Sequence, residues 1–589
     1  MADRRAALPA EAPLDMPLQV FGGTPPATIQ VLTSPTDVAS RRILLGLLTL
    51  ILAIAATLVV KESLQRDGFD LWDVLLLLLF LPLFGWIAFG FMTSAIGFVL
   101  LTFTRHQGFV RAAPPAEPLV GRTAVLVPIH NEDVASVFDR IAAMMESVER
   151  AGGTPWFDFF VLSDSAPTAE PEERAAWEAL ALAAPGALYY RRREKNVGRK
   201  PGNIADWVRR FGAAYDYMLV LDADSLMSGT AMMGMASALD RRPSVGLFQT
   251  VPTITGAVTF FQRWMQFASR LYGPIASTGL LWWSGSEATF WGHNAMLRTR
   301  AFAESCGLPD LPGRPPFGGM IMSHDMVEAA LLRRRGWATH MALIEESHEE
   351  FPPTMIDMAI RDRRWAQGNI QHVRLLASSG FHWISRLHLL IGASAYITSP
   401  MWLLLILVTV GQALATRGLM GGGAPPVMLL VVTVVLLFGP KAMAVAWAWA
   451  RADRRAGFGG ARAIARSVAA DVPLAMLLAP ATMLTQTLDL ISILRGKPSG
   501  WHPQERDRDH LSFAEVWPRY RWHLALGAAL LALVPVVPMT GLWLLPITIG
   551  LIVSPWLAMW TASRALGRRT AARGLFHVPP AGAFGPLAG

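Results

Sequence analysis

Long apolar stretches alternate with polar segments along the chain. Only one of these stretches contains a charged residue, Lys441. A helix of about 20 apolar residues crosses a hydrocarbon core of about 30 Å, and the last stretch is long enough for two such helices. The pattern therefore predicts six membrane-spanning helices. The stretches are 43–60, 74–104, 389–416, 427–450 and 524–562.

A further apolar stretch, 472–488, is shorter. It contains Pro473 and Pro480 and is bounded by Asp471 and Asp489. Basic residues flank it on both sides, which requires an even number of crossings, and it is too short for two. We therefore predict an interfacial or re-entrant helix here. The alternative is eight spans in all.

Basic residues lie beside the predicted helices, and the positive-inside rule places them in the cytoplasm. The long polar segment is then cytoplasmic too. The predicted organisation is a disordered N-terminal segment (1–40), two spans (41–104), a cytoplasmic domain (105–386), two spans (387–450), a cytoplasmic basic loop with the interfacial helix (451–521), two spans (522–563) and a cytoplasmic tail (564–589).

The composition agrees with a membrane protein. The 589 residues are 52% hydrophobic and 16% charged, with a mean hydropathy of +0.36, which is too apolar for an ordinary soluble protein. The net charge of +8 comes with basic residues beside the helices, so nucleic acid is not an expected partner. The single cysteine, Cys306, excludes an intrachain disulfide.

Apolar strands and amphipathic helices alternate within 105–386. This alternation predicts an α/β domain with a mostly parallel sheet. In such sheets the ligand binds outside the carboxyl ends of the strands. The predicted strands are 123–129, 157–164, 186–193 and the first half of 217–225.

Acidic residues follow three of these strands. "HNED" with Glu132 follows the first, Asp164 ends the second, and Asp222 and Asp224 follow the fourth. Like charges this close need a counter-charge, and Mg²⁺ binds one or two carboxylates together with phosphate oxygens. We predict a metal at Asp222 and Asp224 that bridges to a diphosphate. The alternative is that Asp224 or Ser225 caps the next helix.

A basic group faces the same region. Lys200 lies beside Gly202 in "GRKPGN", at the start of a predicted helix. Backbone N–H groups and a lysine at a helix start suit an anion such as a diphosphate. The alternative is an ordinary surface turn. The stretch 260–273 carries aromatic residues at helical spacing, and it predicts either an interfacial helix under a pore or a core-facing helix.

In their order along the chain, these motifs resemble those of the processive, inverting family 2 glycosyltransferases, which include the cellulose and hyaluronan synthases. The likeness covers about 43–560 and departs from the family at Arg361, where a glutamine is usual. Its details are similar to the branch that makes the β-1,2-linked backbone of osmoregulated periplasmic glucans from UDP-glucose in Gram-negative inner membranes. The matching motifs are Asp164, Lys200 in K-x-G, Asp222-x-Asp224, "FWGHN" (290–294), "SHD" ending at Asp325, and "RDRRW" (361–365).

The resemblance implies a cytoplasmic GT-A-type domain attached to a helical transmembrane bundle, with Mg²⁺ or Mn²⁺ as cofactor. An inverting transfer needs one base to accept the proton of the acceptor hydroxyl, and Asp325 is the candidate. The other implied site residues are Asp164, Lys200, Asp222, Asp224, Arg364 and Glu132 for the nucleotide, Trp365, His293, Asn294, His324 and Arg361 for the acceptor, and Trp501, Arg506 and Arg508 in a gating loop.

Each of these roles has a structural alternative. Asp325 could be a helix N-cap, Trp365 a core residue, and the gating stretch a plain polar linker. The implied partners are UDP-glucose, the growing glucan and membrane lipids, and for some relatives acyl carrier protein and a periplasmic glucan-modifying protein.

Three other functions compete with this one. A synthase of the cellulose or hyaluronan type would form another linkage, and the β-1,2 linkage rests on the resemblance alone. A transferase acting on a lipid phosphate shares the Asp-x-Asp but often lacks the Arg-Trp motif. A transporter or channel explains the helices but leaves the acidic strand ends unexplained.

Overall fold

The computed structural model describes residues 8–28, 32–64, 69–104, 108–115, 117–416, 427–497 and 510–580. Its strands are β1 (Thr123–Ile129), β2 (Phe157–Ser163), β3 (Leu188–Arg192), β4 (Tyr217–Val220), β5 (Leu226–Met227), β6 (Val245–Thr250), β7 (Thr253–Thr255), β8 (Ala295–Arg298), β9 (Ala338–Ala342) and β10 (Ser347–Glu350).

The α-helices of the described residues are α1 (Val38–Leu64), α2 (Leu71–Phe103), α3 (Val134–Arg150), α4 (Glu170–Ala183), α5 (Arg199–Phe211), α6 (Gly229–Asp240), α7 (Phe260–Ser284), α8 (Thr299–Ser305), α9 (His324–Arg334), α10 (Met355–His372), α11 (Trp383–Ala415), α12 (Val427–Ala450), α13 (Ala452–Gly457), α14 (Ala461–Leu494), α15 (Phe513–Ala532), α16 (Pro538–Trp543), α17 (Leu545–Thr561) and α18 (Arg564–Ala572).

The α/β domain is built on a mixed sheet with the strand order β3-β2-β1-β4-β8-β6-β9. Four of its six neighbouring pairs are parallel, and only β8 runs against its neighbours β4 and β6. The predicted mostly parallel α/β domain is confirmed, and the sheet is that of a GT-A-type domain. A second, small sheet has the order β5-β10-β7. It brings β10 beside the turn that follows β4.

Side chains along β1 alternate between two hydrophobic cores, one on each face of the sheet. Val125 and Val127 join a hydrophobic core on one face of the sheet, and Ala124 and Leu126 join a second core on the other. Successive side chains of a strand point to opposite faces, so a fully apolar strand is covered on both. Helices therefore pack on both faces, and the polar residues collect where the strands end.

Five helices in the described part of the chain are long and apolar enough to cross a membrane: α1, α2, α11, α12 and α14. The count rises to six if α17 and α18, which are bent by 78° at a short break, form one span. The predicted spans 43–60, 74–104, 389–416 and 427–450 lie in α1, α2, α11 and α12. The stretch 524–562 contains the last nine residues of α15, all of α16 and all of α17, with a turn at 533–537.

The helix predicted at 472–488 is longer than the apolar stretch. The helix α14 has 34 residues, because it extends past both aspartates that bound the stretch, and it is long and apolar enough to cross a membrane once. Both aspartates contact elements of the α/β domain: Asp471 binds Trp264 of α7, and Asp489 binds Arg363 of α10. The placement of α14 along the membrane surface stays a prediction.

The N-terminal segment differs from the predicted disordered one, because its described residues 8–28 contact the α/β domain. Met16 is buried in the same core as Cys306. The Gln19 backbone N–H donates to the Gly307 carbonyl at 2.7 Å, and the Phe21 ring meets Phe381 edge-on at 6.1 Å. A few apolar side chains are enough to anchor a segment that is mostly polar and Pro-rich.

The α/β domain is joined to the apolar helices by close packing of α7 on α2. A Cβ on Gly279 of α7 would lie 1.9 Å from the Thr93 carbonyl oxygen, and one on Gly97 of α2 would lie 1.8 Å from that of Ile275. Only glycine permits this approach. The N-terminal half of α7 is buried against neighbouring helices, so the predicted stretch 260–273 is a core-facing helix.

The helix α14 continues past Asp471 because the charge of this buried aspartate is neutralised. Its side chain is 1% exposed, accepts hydrogen bonds from Trp264 Nε1 and Tyr272 OH at 2.7 Å each, and pairs with Lys441 of α12. A buried carboxylate with three donors carries no uncompensated charge. The same contact explains why Lys441 is tolerated inside an apolar helix.

Replacement of Asp471 by leucine is expected to destabilise the protein by about 3–5 kcal/mol, because it leaves the Lys441 ammonium without its counter-charge. The double variant Lys441→Met, Asp471→Leu should recover most of this loss. Unfolding in detergent measures both, with the exposed Asp453→Asn as control. If Asp471→Leu and the double variant Lys441→Met, Asp471→Leu were equally stable, the unpaired charge of Lys441 would not be the cause of the lost stability.

Candidate active site

The carboxyl ends of β2, β1 and β4 lie side by side and bring the first three acidic motifs to one edge. Asp164 follows β2, and its side chain is 5% exposed. The Arg193 guanidinium holds it with two hydrogen bonds, from Nε to Oδ1 at 2.7 Å and from Nη2 to Oδ2 at 2.6 Å. Arg193 also donates to the carbonyls of Val197 and Arg199. Asp164 is thus tied to the turn that precedes α5.

The "HNED" turn is locked onto the same edge. The Glu132 carboxylate accepts from the backbone N–H of His130, and the His130 ring contacts the Asp164 carbonyl at 2.8 Å. Asn131 has a φ of 59° and accepts from the Ala166 N–H at 2.9 Å. The turn after β1 and the turn after β2 therefore form one unit.

Asp222 and Asp224 lie in a tight turn after β4. The Ser225 hydroxyl accepts from the Asp222 N–H at 2.9 Å, and the Asp222 side chain is 42% exposed. The helix α6 is capped by Ser228, which accepts from the Ala231 N–H at 3.0 Å. The alternative of Asp224 or Ser225 as helix cap is therefore wrong.

Lys200 connects this turn to the "FWGHN" segment. It lies in the first turn of α5, after Gly198 with a φ of +71°. Its ammonium donates to the Asp222 carboxylate and, at 2.7 Å, to the Gly292 carbonyl. Lys200 is thus directed into the site, unlike a lysine on an ordinary surface turn.

The two aspartates fit a metal only if the nucleotide supplies other ligands. Among the described residues, no group of three or more His, Cys, Asp or Glu side chains is arranged to hold an ion. Asp222 is exposed enough to reach a ligand, but it is paired with Lys200. Mg²⁺ commonly uses one or two carboxylates plus phosphate oxygens, so the donor set suits an ion that arrives with a diphosphate.

Asp325 lies directly behind Gly292. A Cβ on Gly292, which has a φ of +86°, would be 3.6 Å from Asp325 Oδ2. Asp325 is in the first turn of α9, and the N-cap position belongs to Ser323. The alternative of Asp325 as an N-cap is therefore wrong. Burial raises the pKa of the Asp325 carboxyl, and nearby Glu328 raises it further against the opposing effect of His324.

His324 is paired with Glu328, since its Nδ1 lies 3.0 Å from Oε1. Burial lowers the pKa of His324, but Glu328 and Asp325 outweigh burial and raise it overall. The preceding Ser323 has a φ of 45°, and its carbonyl accepts from His372 of α10 at 3.0 Å. This contact joins the start of α9 to the helix that carries "RDRRW".

A carboxylate that sequence reasoning missed, Glu349 of β10, lies between the acidic turn and "FWGHN". Its Oε2 is 3.3 Å from His293 Nε2. Burial raises the pKa of Glu349, with His293 opposing and Asp224 adding to the rise. Asn294 is fully buried and donates to Ser347 Oγ at 2.9 Å. His293 therefore faces the acidic turn, whereas the Asn294 amide is used inside the domain.

The "RDRRW" motif lies on α10 and lines the other side of the site. The Arg361 guanidinium stacks between two rings, 4.3 Å from the centre of Trp365 and 4.7 Å from that of Phe351. Trp365 is 47% exposed and is not a core residue. Burial lowers the pKa of Arg364, as does Arg361, while Asp222 opposes the change. Arg364 is therefore within electrostatic reach of the acidic turn.

The structure thus brings the described residues predicted for the nucleotide, the base and the acceptor to one region, except that the Asn294 amide is used inside the domain. Their individual roles stay predictions. Arg193 and Glu349 had no recognisable signal in the sequence, because each acts through a strand pairing or turn that the chain order does not reveal. Trp501, Arg506 and Arg508 lie outside the described residues.

Two family profiles match the chain. "Glycosyl transferase family 2" covers residues 124–305, and "Glycosyl transferase family group 2" covers 217–449. Among solved structures, the chain is similar to the mannosyltransferase PcManGT from Pyrobaculum calidifontis in complex with GDP-Man and Mn²⁺. That match has 14% identity and a TM-score of 0.42, and it covers 64% of this chain and 98% of the other.

Two relatives match over nearly the full length, and both are named glucans biosynthesis glucosyltransferase H. The protein of Caulobacter vibrioides (strain NA1000 / CB15N) is 42% identical over 97% of this chain and 90% of its own length. That of Xylella fastidiosa (strain 9a5c) is 40% identical over 98% and 93%, respectively. The resemblance drawn from the motifs is confirmed, and the chain belongs to the glucans biosynthesis glucosyltransferase H family, within glycosyl transferase family 2.

Proposed function

We propose that the protein polymerises glucose from UDP-glucose into a β-1,2-linked glucan, with inversion at the anomeric carbon, and moves the product across the bacterial inner membrane. The observation that carries the proposal is the contact of Lys200 with both Asp222 and Gly292, because Gly292 packs against Asp325. The diphosphate-binding group and the candidate base are thereby held on opposite sides of one short segment.

In the proposed transfer step, Asp325 acts on the acceptor, and Lys200 and Arg364 act on the leaving diphosphate. The oxygen of an acceptor hydroxyl attacks the anomeric carbon, and its proton passes to the Asp325 carboxylate. The bond between the anomeric carbon and the diphosphate oxygen breaks, and UDP leaves with the electron pair. Lys200 and Arg364 stabilise the charge that develops on the diphosphate. A bound Mg²⁺ or Mn²⁺, held by Asp222 and Asp224, would add Lewis-acid stabilisation of the same oxygens.

The acceptor sugar is proposed to lie against Trp365. An exposed indole backed by the Arg361 guanidinium offers a flat, rigid face for a sugar ring. His293 and His324 are proposed as further acceptor contacts, since an imidazole can hydrogen-bond hydroxyl groups. Analysis of the linkages in the product distinguishes a β-1,2-linked glucan from a cellulose- or hyaluronan-type polymer.

A cavity between the membrane helices supports the proposed translocation. It has a volume of about 400 Å³, within the range of about 300–1,000 Å³ typical of ligand pockets. Trp264, Trp402 and Ser399 contribute to its wall. A smaller hollow that contains Asp362 of α10 shares Thr482 with it. Because Thr482 lines both hollows, they adjoin each other between the "RDRRW" helix and the membrane helices.

The proposed location follows from the same scheme. The catalytic domain faces the cytoplasm, where its nucleotide-sugar donor is made, and the lipid bilayer surrounds the helices. Acyl carrier protein and a periplasmic glucan-modifying protein stay predictions as further partners.

Asp325→Asn should lower the rate of UDP release at saturating UDP-glucose by about 10²–10⁴-fold, because the variant keeps the shape of the side chain and removes the base. The affinity for UDP should stay within about twofold of the parent value, because asparagine keeps the volume of aspartate and leaves the diphosphate-binding groups in place. The exposed Asp310→Asn is the control. A normal rate with weakened UDP binding would make Asp325 a binding residue.

The pH profile offers a second readout of the same residue. Burial raises the pKa of Asp325, so its active, ionised form is lost at a higher pH than for an ordinary aspartate of pKa about 3.9. Activity should therefore fall as the pH decreases through that raised value.

Mn²⁺ binding should depend on the nucleotide. Two carboxylates, one of them paired with Lys200, are too few to hold an ion tightly, whereas UDP supplies further oxygens. Electron paramagnetic resonance of Mn²⁺ should show weak binding to the protein alone and tight binding with UDP, and Asp222→Asn should abolish the difference. Full activity in excess chelator would contradict the metal's role.

Trp402→Ala should shorten the product several-fold without changing UDP affinity, because it removes an indole from the wall of the cavity and leaves the catalytic domain intact. The length distribution of glucan made in lipid nanodiscs measures the effect. Trp449→Ala, which removes an indole that is 42% exposed, is the matched control. Product of full length from the Trp402 variant would mean that the glucan does not pass this cavity.

A further inference from the structure

A buried carboxylate, Glu287, lies at the junction between the membrane helices and the catalytic domain. It follows α7, and its side chain is 3% exposed. One carboxylate oxygen accepts from Arg333 Nε at 2.6 Å and from the Ser286 hydroxyl at 2.8 Å, and the other accepts from Arg42. One negative charge is therefore shared by two guanidinium groups.

Arg42 extends this contact into the membrane helices. It is near the start of α1, and its guanidinium donates to the Trp283 carbonyl at 2.9 Å and to the Ser284 carbonyl at 2.6 Å. The same group lies 5.7 Å from the centre of the Trp383 ring, at the start of α11. The first membrane helix, the end of α7 and the start of α11 thus meet at Glu287.

Arg333 links Glu287 to the helix that bears Asp325. It lies in the last turn of α9, and Asp325 lies in the first turn of the same helix. Eight residues of α-helix span about 12 Å, so a change in position at one end is transmitted to the other. Glu287 also precedes Gly292 by five residues, and its neighbours are fixed to the sheet because the Ala288 N–H donates to the Thr339 carbonyl at 3.1 Å.

Both sides of the contact between Gly292 and Asp325 are therefore anchored at one carboxylate. We propose that Glu287 is a positioning residue: through Arg42 and Arg333 it fixes α9 relative to the first membrane helix and so sets the place of the Asp325 carboxylate. The proposal rests on the proposed function only for the role of Asp325 as the base.

Loss of the carboxylate leaves two buried guanidinium groups facing each other, which favours separation of α9 from α1. A small shift is enough to affect catalysis, since a misplacement of about 1 Å can cost about 10²-fold in rate. Substrate binding at Asp164 and Lys200 lies on other elements and should change little. The expected signature is a lower kcat with nearly constant KM.

The test uses the full-length protein in nanodiscs with the variants Glu287→Gln, Arg333→Met and their combination. Each single variant should lower kcat about 10- to 100-fold and leave KM for UDP-glucose within about twofold. The double variant should be no worse than the more impaired single one, because both changes break the same contact. Arg333→Lys, which keeps the charge, should recover part of the rate.

Hydrogen exchange of the backbone provides a readout that does not require activity. Exchange in residues 324–328 should increase in Glu287→Gln. The control is Asp158→Asn, another buried carboxylate with an arginine partner, which lies at the opposite edge of the sheet. It should change neither that exchange nor kcat.

Two results would overturn the proposal. One is unchanged exchange in the first turn of α9, and the other is additive effects of the two single variants on kcat. If Asp325→Asn itself keeps the parent rate, the base assignment fails instead, while the exchange data still report on the Glu287 contact. A failure of the proposed role of Glu287 can thereby be distinguished from a failure of the proposed function.

Discussion

The Lys200 ammonium is the contact on which the arrangement of the site depends. It reaches from the start of α5 to the carboxylate of Asp222 and to the carbonyl of Gly292. Without this lysine, the carboxylate at the end of β4 would lose its closest counter-charge while Asp224 stays nearby, and like charges at the end of a strand repel. One lysine therefore stabilises the acidic turn and fixes the segment against which Asp325 packs. The diphosphate of the proposed donor would meet a cation that is already in place.

The same rule of paired charge governs the junction with the membrane. Asp471 is neutralised by Lys441, and Glu287 is neutralised by Arg42 and Arg333. In each case the partners come from different elements of the chain. Breaking such a pair costs more than the pair itself contributes, because it leaves a buried charge without a partner. These contacts therefore specify which helices are neighbours more than they add stability.

The sequence was sufficient for those features that depend on local pattern. Apolar runs gave β1 and β2 almost to the residue, and the acidic residues after them were correctly expected to share one edge of the sheet. It was not sufficient where a distant partner decides the outcome. Asp471 was expected at the end of a helix, whereas its pairing with Lys441, thirty residues earlier, allows the helix to continue past it. Met16 was expected to be disordered, whereas it is buried in a core that includes the distant Cys306.

The active site shows the same division. Asp164, Lys200 and Asp325 belong to motifs and could be named from the chain alone, whereas Arg193 and Glu349 could not, because arginines and glutamates of ordinary appearance become site residues only through the turn or strand that places them. Glu349 reaches His293 because β10 pairs with β5, which directly follows the acidic turn. No periodicity in the sequence reports a pairing between a two-residue strand and one that follows it by about 120 residues.

The departure at Arg361 has a physical consequence for the acceptor side. A glutamine at this position would present an amide that can hydrogen-bond a sugar hydroxyl. The guanidinium instead lies between Phe351 and Trp365, where its planar face is occupied by the two rings. A cation stacked on an indole holds that ring in place and reduces the entropy it would lose on binding a sugar. For an acceptor that lies against Trp365, as proposed, arginine would exchange a directional contact for a rigid platform.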